Sequence, residues 1–266
     1  MDNNILIPFL LTLFAGLSTG IGSLIALLTT RTNKKFLSFS LGFSAGVMIY
    51  ISFVELFASS QDILVLEYGQ KLGMTHNIIF FFAGILLIGI IDKLVPSSEN
   101  PHEMRSLESM NKAPKKDSKL MRTGIMTALA IGIHNFPEGM ATFVAAMQNP
   151  TLGIAIAVAV AIHNIPEGIA VSVPIYQATG SKKKAFRLSF LSGLAEPIGA
   201  LIAYLILMPF LSQTLLAYVF AIVAGIMVYI SLDELLPAAR EYGEHHVSIY
   251  GLIAGMAVMA ISLIIL

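Results

Sequence analysis

Eight apolar runs, each about twenty residues long and nearly free of charge, decide what this chain can fold into: residues 5–28, 36–57, 77–95, 123–147, 151–176, 185–208, 214–236 and 247–266. A helix of that length crosses a hydrocarbon core of roughly 30 Å. Lipid offers no partner for backbone N–H and C=O groups, so the runs must be helical. The expected fold class is therefore an all-α integral membrane protein with eight transmembrane helices, forming a single polytopic membrane domain over residues 1–266. Composition agrees: 56% of residues are hydrophobic and 12% charged, against about 25% charged in soluble chains. Residues 1–30 contain no Lys or Arg, so the first run lacks the basic segment of a secretion signal and reads as a retained helix. The absence of cysteine excludes disulfides, thiolate metal sites and a cysteine nucleophile. A net charge of zero gives no argument for a nucleic-acid partner.

Eight crossings place alternate loops on opposite sides, and basic residues mark the cytoplasmic one. Fifteen of the sixteen Lys and Arg residues fall on one side, in the clusters around Lys34, Lys115, Lys183 and Arg240, and only Lys71 falls on the other. Both termini are thus expected to be extracytoplasmic. Residues 96–122, with Pro96, Pro101, Pro114 and several lysines but no apolar periodicity, read as a flexible cytoplasmic loop.

The chain also repeats itself. AGLSTGIGSLIA (15–26) matches SGLAEPIGALIA (192–203) at seven of twelve positions, and AGVMIYISFVEL (45–56) matches AGIMVYISLDEL (224–235) at eight of twelve. The matched runs are separated by five crossings, so they pass through the bilayer in opposite directions. Such inverted repeats are typical of secondary transporters, whose site lies near midplane at the repeat interface. Runs one to three then pair with six to eight, leaving the fourth and fifth as a central pair.

That central pair carries the polar chemistry. The fourth run reads His134-Asn135-Phe136-Pro137-Glu138-Gly139 and the fifth His163-Asn164-Ile165-Pro166-Glu167-Gly168. Each His lies 14 or 15 residues from Asn149 in the intervening turn, about 21 to 22 Å along a helix, which sets both motifs at one depth near midplane. An ionised Glu there is costly without a cation, a water-filled cavity or a proton. With His134 at 0°, Asn135 falls at about 100° and Glu138 at about 40°, so each glutamate can serve two neighbouring ligand sets. One set would be His134, Glu138, His163 and Glu167, which suits zinc; the other, Asn135 and Asn164 with the same glutamates, is richer in oxygen and tolerates harder ions. Pro137 and Pro166 cannot donate to the carbonyls of Ile133 and Ile162 and push against the preceding turn. Glu196, before Pro197 in the sixth run, is the third carboxylate deep in a span and is assigned to the second set.

With the duplicated HNFPEG and HNIPEG motifs and SGLAEPIGA in view, the chain resembles the ZIP family of divalent metal transporters, most closely its bacterial, ZupT-like zinc-uptake branch. The resemblance covers all eight runs. It implies a 3+2+3 helix arrangement in the inner (plasma) membrane, import toward the cytoplasm, and a binuclear site whose ligands match His134, Asn135, Glu138, His163, Asn164, Glu167 and Glu196. It further implies homodimers and a transport block of helices one, four, five and six sliding against two, three, seven and eight as an elevator. Many eukaryotic members carry a His-rich loop between helices three and four; this chain has only His102 there.

The function expected is a carrier importing Zn²⁺ foremost, together with Fe²⁺, Mn²⁺, Co²⁺ or Cd²⁺, by alternating access, with no prosthetic cofactor; its partners are divalent metal ions, the lipid bilayer and a second copy of the chain. Two alternatives remain: an intramembrane carboxylate/His metalloenzyme, which the absence of H-E-x-x-H and the His-x-x-x-Glu order disfavour, and a metal sensor without transport, which leaves the inverted repeat unexplained. Glu55, at the outer end of the second run, and Asp233 and Glu234, at the inner end of the seventh, are either way-stations for metal or carboxylates reaching the aqueous interface. His245 and His246, with Glu241 and Glu244 in the seventh loop, either receive metal or are simply solvated.

Overall fold

The computed structural model describes residues 5–28, 34–94, 118–207, 210, 212–242 and 245–265. Eleven α-helices account for nearly all of them: α1 (Leu6–Leu28), α2 (Lys34–Ile51), α3 (Ala58–Tyr68), α4 (Gln70–Leu94), α5 (Ser118–Gln148), α6 (Pro150–Thr179), α7 (Lys182–Gly193), α8 (Ala195–Ile202), α9 (Gln213–Ile230), α10 (Leu236–Tyr242) and α11 (His245–Ile265). Several join end to end. A π-helical turn over Ser52–Phe57 links α2 to α3, another over Ser231–Leu235 links α9 to α10, and a third, Ala203–Leu207, extends α8. Among the described residues, seven helical stretches are long and apolar enough to cross a membrane: Leu6–Leu28, Ser38–Tyr68, Gln70–Ile91, Pro150–Thr179, Lys182–Ile206, Gln213–Arg240 and His246–Ile264. The 31-residue α5 stands beside them. Residues 95–117, most of the expected loop 96–122, lie outside the described residues, and 118–122 form the first turns of α5.

Helix ends follow local chemistry rather than hydropathy. The second run stops at Phe57, but its helix continues to Tyr68 because Ser59, Ser60, Gln61 and Asp62 are polar without being helix breakers. Gly69, at φ 79°, ends it; a glycine takes that left-handed conformation without steric cost. The α5–α6 turn is set by Asn149, whose Oδ1 accepts from the N–H groups of Thr151 and Leu152 at 3.1 and 3.3 Å, and by Pro150 in the first helical turn, where its missing N–H costs nothing. Pro137 and Pro166 sit inside continuous helices. Pro197 acts differently: the helix breaks at Leu194 between α7 and α8, because the ring cannot donate to the Gly193 carbonyl and crowds that turn.

The helices gather into two bundles. α1 packs on α6, α6 on α5 and α7, and α5 on α8, which makes one group; α2 packs on α11 and α10, and α4 on α9 and α3, which makes the other. Contact between the groups is thinner and runs mainly through α2 against α6 and α5 against α9. Lipid gives no hydrophobic drive for helix association, so tight backbone approach at small residues has to supply it. In the second bundle a Cβ on Gly46 would meet the Leu252 carbonyl and one on Gly225 the Phe81 carbonyl, while Gly84 lies against the Ile222 carbonyl and Gly255 against that of Phe43. These four contacts are two contacts seen twice. Residues 43 and 46 correspond to 222 and 225, each pair 179 apart, and 81 and 84 correspond to 252 and 255, each 171 apart. The inverted repeat therefore includes α4 and α11, which the sequence matches did not reach.

Hydrogen bonds obey the same relation. Ser38 Oγ donates to the Ala239 carbonyl at 2.6 Å and Ser60 Oγ to that of Ala217 at 2.7 Å; the repeat exchanges 38 with 217 and 60 with 239. At the start of the two π-helical turns, Ser52 Oγ donates to the Met48 carbonyl at 2.6 Å and Ser231 Oγ to the Met227 carbonyl at 2.7 Å. A hydroxyl that takes the carbonyl four residues back competes with the helical N–H and loosens the turn, although the same bond at Thr75 and Thr179 sits within regular α-helix.

Candidate metal site

The two motifs lie where α5 and α6 cross the rest of the first bundle, and their glycines fix those crossings. A Cβ on Gly168 would strike the Thr19 carbonyl, and one on Gly22 the Ile165 carbonyl, locking α6 onto α1. On the other side Gly139 lies against the Glu196 carbonyl and Gly199 against that of Phe136, locking α5 onto α8. The first repeat match pairs 19 with 196 and 22 with 199, and the motif duplication pairs 136 with 165 and 139 with 168. The pseudo-twofold thus passes between α5 and α6 and relates the two halves of the site. Gly16 and Gly193, themselves a matched pair, each face the other's carbonyl where α1 crosses α7.

Five of the seven expected ligands have described side chains, and all five are inside. Asn135, Asn164 and Glu196 are completely buried, and Glu138 and Glu167 are 2% and 4% exposed. Asn164 Nδ2 donates to the Ala15 carbonyl at 2.9 Å and to Glu196 Oε1, so α1, α6 and α8 meet at this amide. The Gly139 contact brings the residue beside Glu138 onto the Glu196 backbone. Glu138, Asn164 and Glu196 therefore occupy adjoining surfaces of three elements. Among the described side chains no three acidic or imidazole groups converge closely enough to hold an ion; His134 and His163 belong to the helical backbone of α5 and α6, and their side chains lie outside the described set.

The two asparagines differ. Asn135 Nδ2 and Oδ1 are buried with no hydrogen-bond partner among the described residues, whereas only Oδ1 of Asn164 is in that state. Thr19 Oγ1 and Ser23 Oγ on α1 share the condition. Polar atoms buried without partners cost about 1–3 kcal/mol each; those of Thr19, Ser23, Asn135 and Asn164 lie on α1, α5 and α6, and Ser44, Asn77 and Thr142 share the condition elsewhere. Thr19 and Ser23 were not singled out from sequence. The signal was present in the repeat, which sets Thr19 opposite Glu196, but isolated hydroxyls in an apolar helix are common.

The outlying candidates separate. Glu55 sits in the first π-helical turn, half-buried, with Ser59 Oγ donating to its Oε1 at 3.3 Å. It is not at the end of its helix, since α3 carries the chain eleven residues further; instead it faces the α5–α6 turn across a cavity of about 240 Å³ lined also by Asn149, Thr151, Leu152, Ala155 and Ser262. Asp233 and Glu234 occupy the second π-helical turn, the former exposed and the latter half-buried. His246 is exposed and stacks on Tyr250 with ring centroids 6.2 Å apart. The side chains of His245 and Glu241 lie outside the described residues, as does Glu244.

A family model described as ZIP Zinc transporter matches residues 93–263. A protein from Lysinibacillus sphaericus named zinc transporter ZupT is 63% identical over 268 residues, covering all of both chains. One of the same name from Streptococcus mutans is 61% identical over 265 residues, covering 100% of this chain and 99% of its own. Another, from Clostridium perfringens, is 59% identical, with 99% and 97% covered.

Proposed function

This chain belongs to the ZIP zinc transporter family, a family of transporters rather than enzymes, and on that premise we propose that it carries Zn²⁺ through the membrane to the cytoplasm by way of the site between α5 and α6. Zinc is the transported substrate, and no prosthetic group takes part. Fe²⁺, Mn²⁺, Co²⁺ and Cd²⁺ are admitted alongside it, because imidazole, amide and carboxylate ligands do not by themselves select among these ions.

The observation that carries this reading is the burial of Glu138, Glu167 and Glu196 on α5, α6 and α8, of which Gly139 sets α5 against α8 and the Asn164–Glu196 hydrogen bond joins α6 to α8. Three carboxylates in a membrane interior are tenable when cations neutralise them. His134, Glu138, His163 and Glu167 form the first site; Asn135, Asn164 and Glu196, with the shared glutamates, form the second. Hydrated metal sheds water onto these groups on the outer side and leaves on the inner side as the ligands take up protons or cytoplasmic chelators compete. α5 is the fourth of eight spans in a 3+2+3 arrangement, both termini are extracytoplasmic, and the basic loops face the cytoplasm across the inner membrane. The thin contact between the bundles supports alternating access in which α1, α5, α6 and α7–α8 slide as a block against the other helices. The protein acts as a homodimer. Glu55 at the outer cavity and Asp233 and Glu234 at the inner π-helical turn are way-stations on the route.

Purified protein in zinc-free proteoliposomes tests the reading directly. Wild-type vesicles should accumulate zinc, and Glu138→Ala vesicles, lacking a ligand of both sites, should not. Uptake by that variant at the wild-type rate would sink the proposal, and binding without any influx would favour a sensor.

A further inference from the structure

A second cavity, of about 590 Å³, opens between the two bundles. It is lined by Leu87 and Ile91 of α4, Ile133, Phe136 and Met140 of α5, and Val223 of α9 with its neighbours, with almost no polar surface. Its counterpart under the inverted repeat lies between α2, α6 and α11, where α2 packs more closely on α6 than α9 does on α5. Leu87 at its mouth is 48% exposed, and Leu86 and Ile90 beside it are more so. In a membrane that mouth meets hydrocarbon. Water gains nothing in a chamber without polar groups, and an empty one forfeits dispersion contacts along its whole lining.

The charges say what kind of hydrocarbon fits. Counting 100° per residue along α5, Ile133 and Met140 fall within about 20° of the direction of Arg122, and the exposed Ile125 and Leu129 lie between. One apolar stripe thus leads from the cavity to an exposed guanidinium. Ile133 and Arg122 are eleven residues apart, about 16 Å, close to half of the roughly 30 Å hydrocarbon core. On α4 the exposed Lys93 continues the lipid-facing stripe of Leu86 and Ile90. Two cations therefore stand at headgroup level on the two helices that frame the opening.

We propose that this cavity is a binding site for an anionic phospholipid of the cytoplasmic leaflet, one acyl chain lying between α5 and α4–α9 and the headgroup held by Arg122 and Lys93. The leaflet follows from the orientation proposed above; the site itself does not depend on zinc transport. Because the chain lies between the bundles, its occupant touches both bodies whose relative movement the transport proposal requires.

Phosphatidylcholine proteoliposomes doped with phosphatidylglycerol or phosphatidylcholine carrying a photoreactive group in the acyl tail provide the test. Photolysis should place adducts on residues 133–140 and 219–226, several-fold more with phosphatidylglycerol. Met140→Trp and Val223→Trp, which fill the cavity, should each suppress those adducts while labelling of the outward face of α1 at Leu10 and Phe14 stays unchanged, which certifies the fold. Arg122→Gln should abolish the preference for phosphatidylglycerol and leave tail labelling in place. Labelling of the two segments no stronger than on α1, or equal for the two lipids in the wild type, overturns the proposal. So does quantitative disulfide-linked dimer from Leu87→Cys in this cysteine-free chain, since a second copy would then cover the mouth. Zinc influx measured in the same vesicles keeps a failure of the lipid site separate from a failure of transport.

Discussion

HNFPEG on α5 and HNIPEG on α6 differ at one residue in six, yet their asparagines live differently. Asn164 is tied to the Ala15 carbonyl and to Glu196; Asn135 has no hydrogen-bond partner among the described residues. The cause lies outside both motifs. The helix crossing α6 and the one crossing α5 are repeat-related, but the position that is Glu196 in one is Thr19 in the other. A duplicated motif thus supplies two similar sets of polar side chains, while the surrounding helices decide which amide is hydrogen-bonded and which is not.

The harshest test of this contrast removes what the halves share. If they bridge the two proposed sites, Glu138→Ala and Glu167→Ala should each lower zinc influx about a hundredfold or more, beyond the roughly 10–100-fold typical of groups one shell out from a metal; influx in one variant near wild type would mean that the two halves are unequal at the carboxylates too. Next comes the scaffold. Gly22→Ala and Gly199→Ala drive a methyl into matched carbonyls and should destabilise the protein similarly, by about 1–3 kcal/mol, seen as lower unfolding temperatures in detergent. A large inequality between them would show that the pseudo-symmetry is not mechanical.

The position that breaks the symmetry should have a subtler effect. Glu196→Gln keeps the shape of the side chain but not its charge and, on the proposed reading, alters a ligand of the second site alone; it should weaken zinc binding about tenfold in equilibrium titrations, no more than groups one shell removed from a metal contribute. Thr19→Ala, at the matching place, should change it much less. Then come the asparagines themselves: without metal, Asn164→Ala should cost about 1–2 kcal/mol of stability, because it removes hydrogen bonds to the buried Glu196 carboxylate and the Ala15 carbonyl, whereas Asn135→Ala should be near neutral. Thermal unfolding in chelator would reverse the assignment if Asn135→Ala proved the costlier. Smallest of all, Glu55→Ala should slow influx about threefold, an effect worth well under 1 kcal/mol; an unchanged rate removes Glu55 from the route.

Much of this was legible beforehand because the bilayer narrows the choices. Apolar length gave the helices, the paired motifs gave the buried polar cluster, and shared Gly, Tyr, Ser and Glu gave two thirds of the repeat. What escaped was set by backbone contact. The pairing of the third run with the eighth followed from chain order, but its register, α4 on α11, rests on which carbonyl a glycine touches, and Leu and Phe at the matching positions 252 and 81 hide it from residue comparison. The π-helical turns escaped because a change in helical hydrogen-bond register leaves no pattern in hydropathy. The helix beyond Glu55 escaped because polar residues end an apolar run without ending a helix. Thr19 was aligned with Glu196 from the start, but an alignment column does not say that its hydroxyl is buried at the crossing.

The meeting of Gly16 and Gly193 has a consequence of its own. A residue on a twofold axis confronts its own image, as at the heart of a homodimer, where the same patch must complement itself. One chain has folded that interface into its interior. Any side chain added at either glycine is met at once by its counterpart's backbone, so the centre of the molecule tolerates a vocabulary of one letter. The two halves are free to diverge in every direction except toward each other.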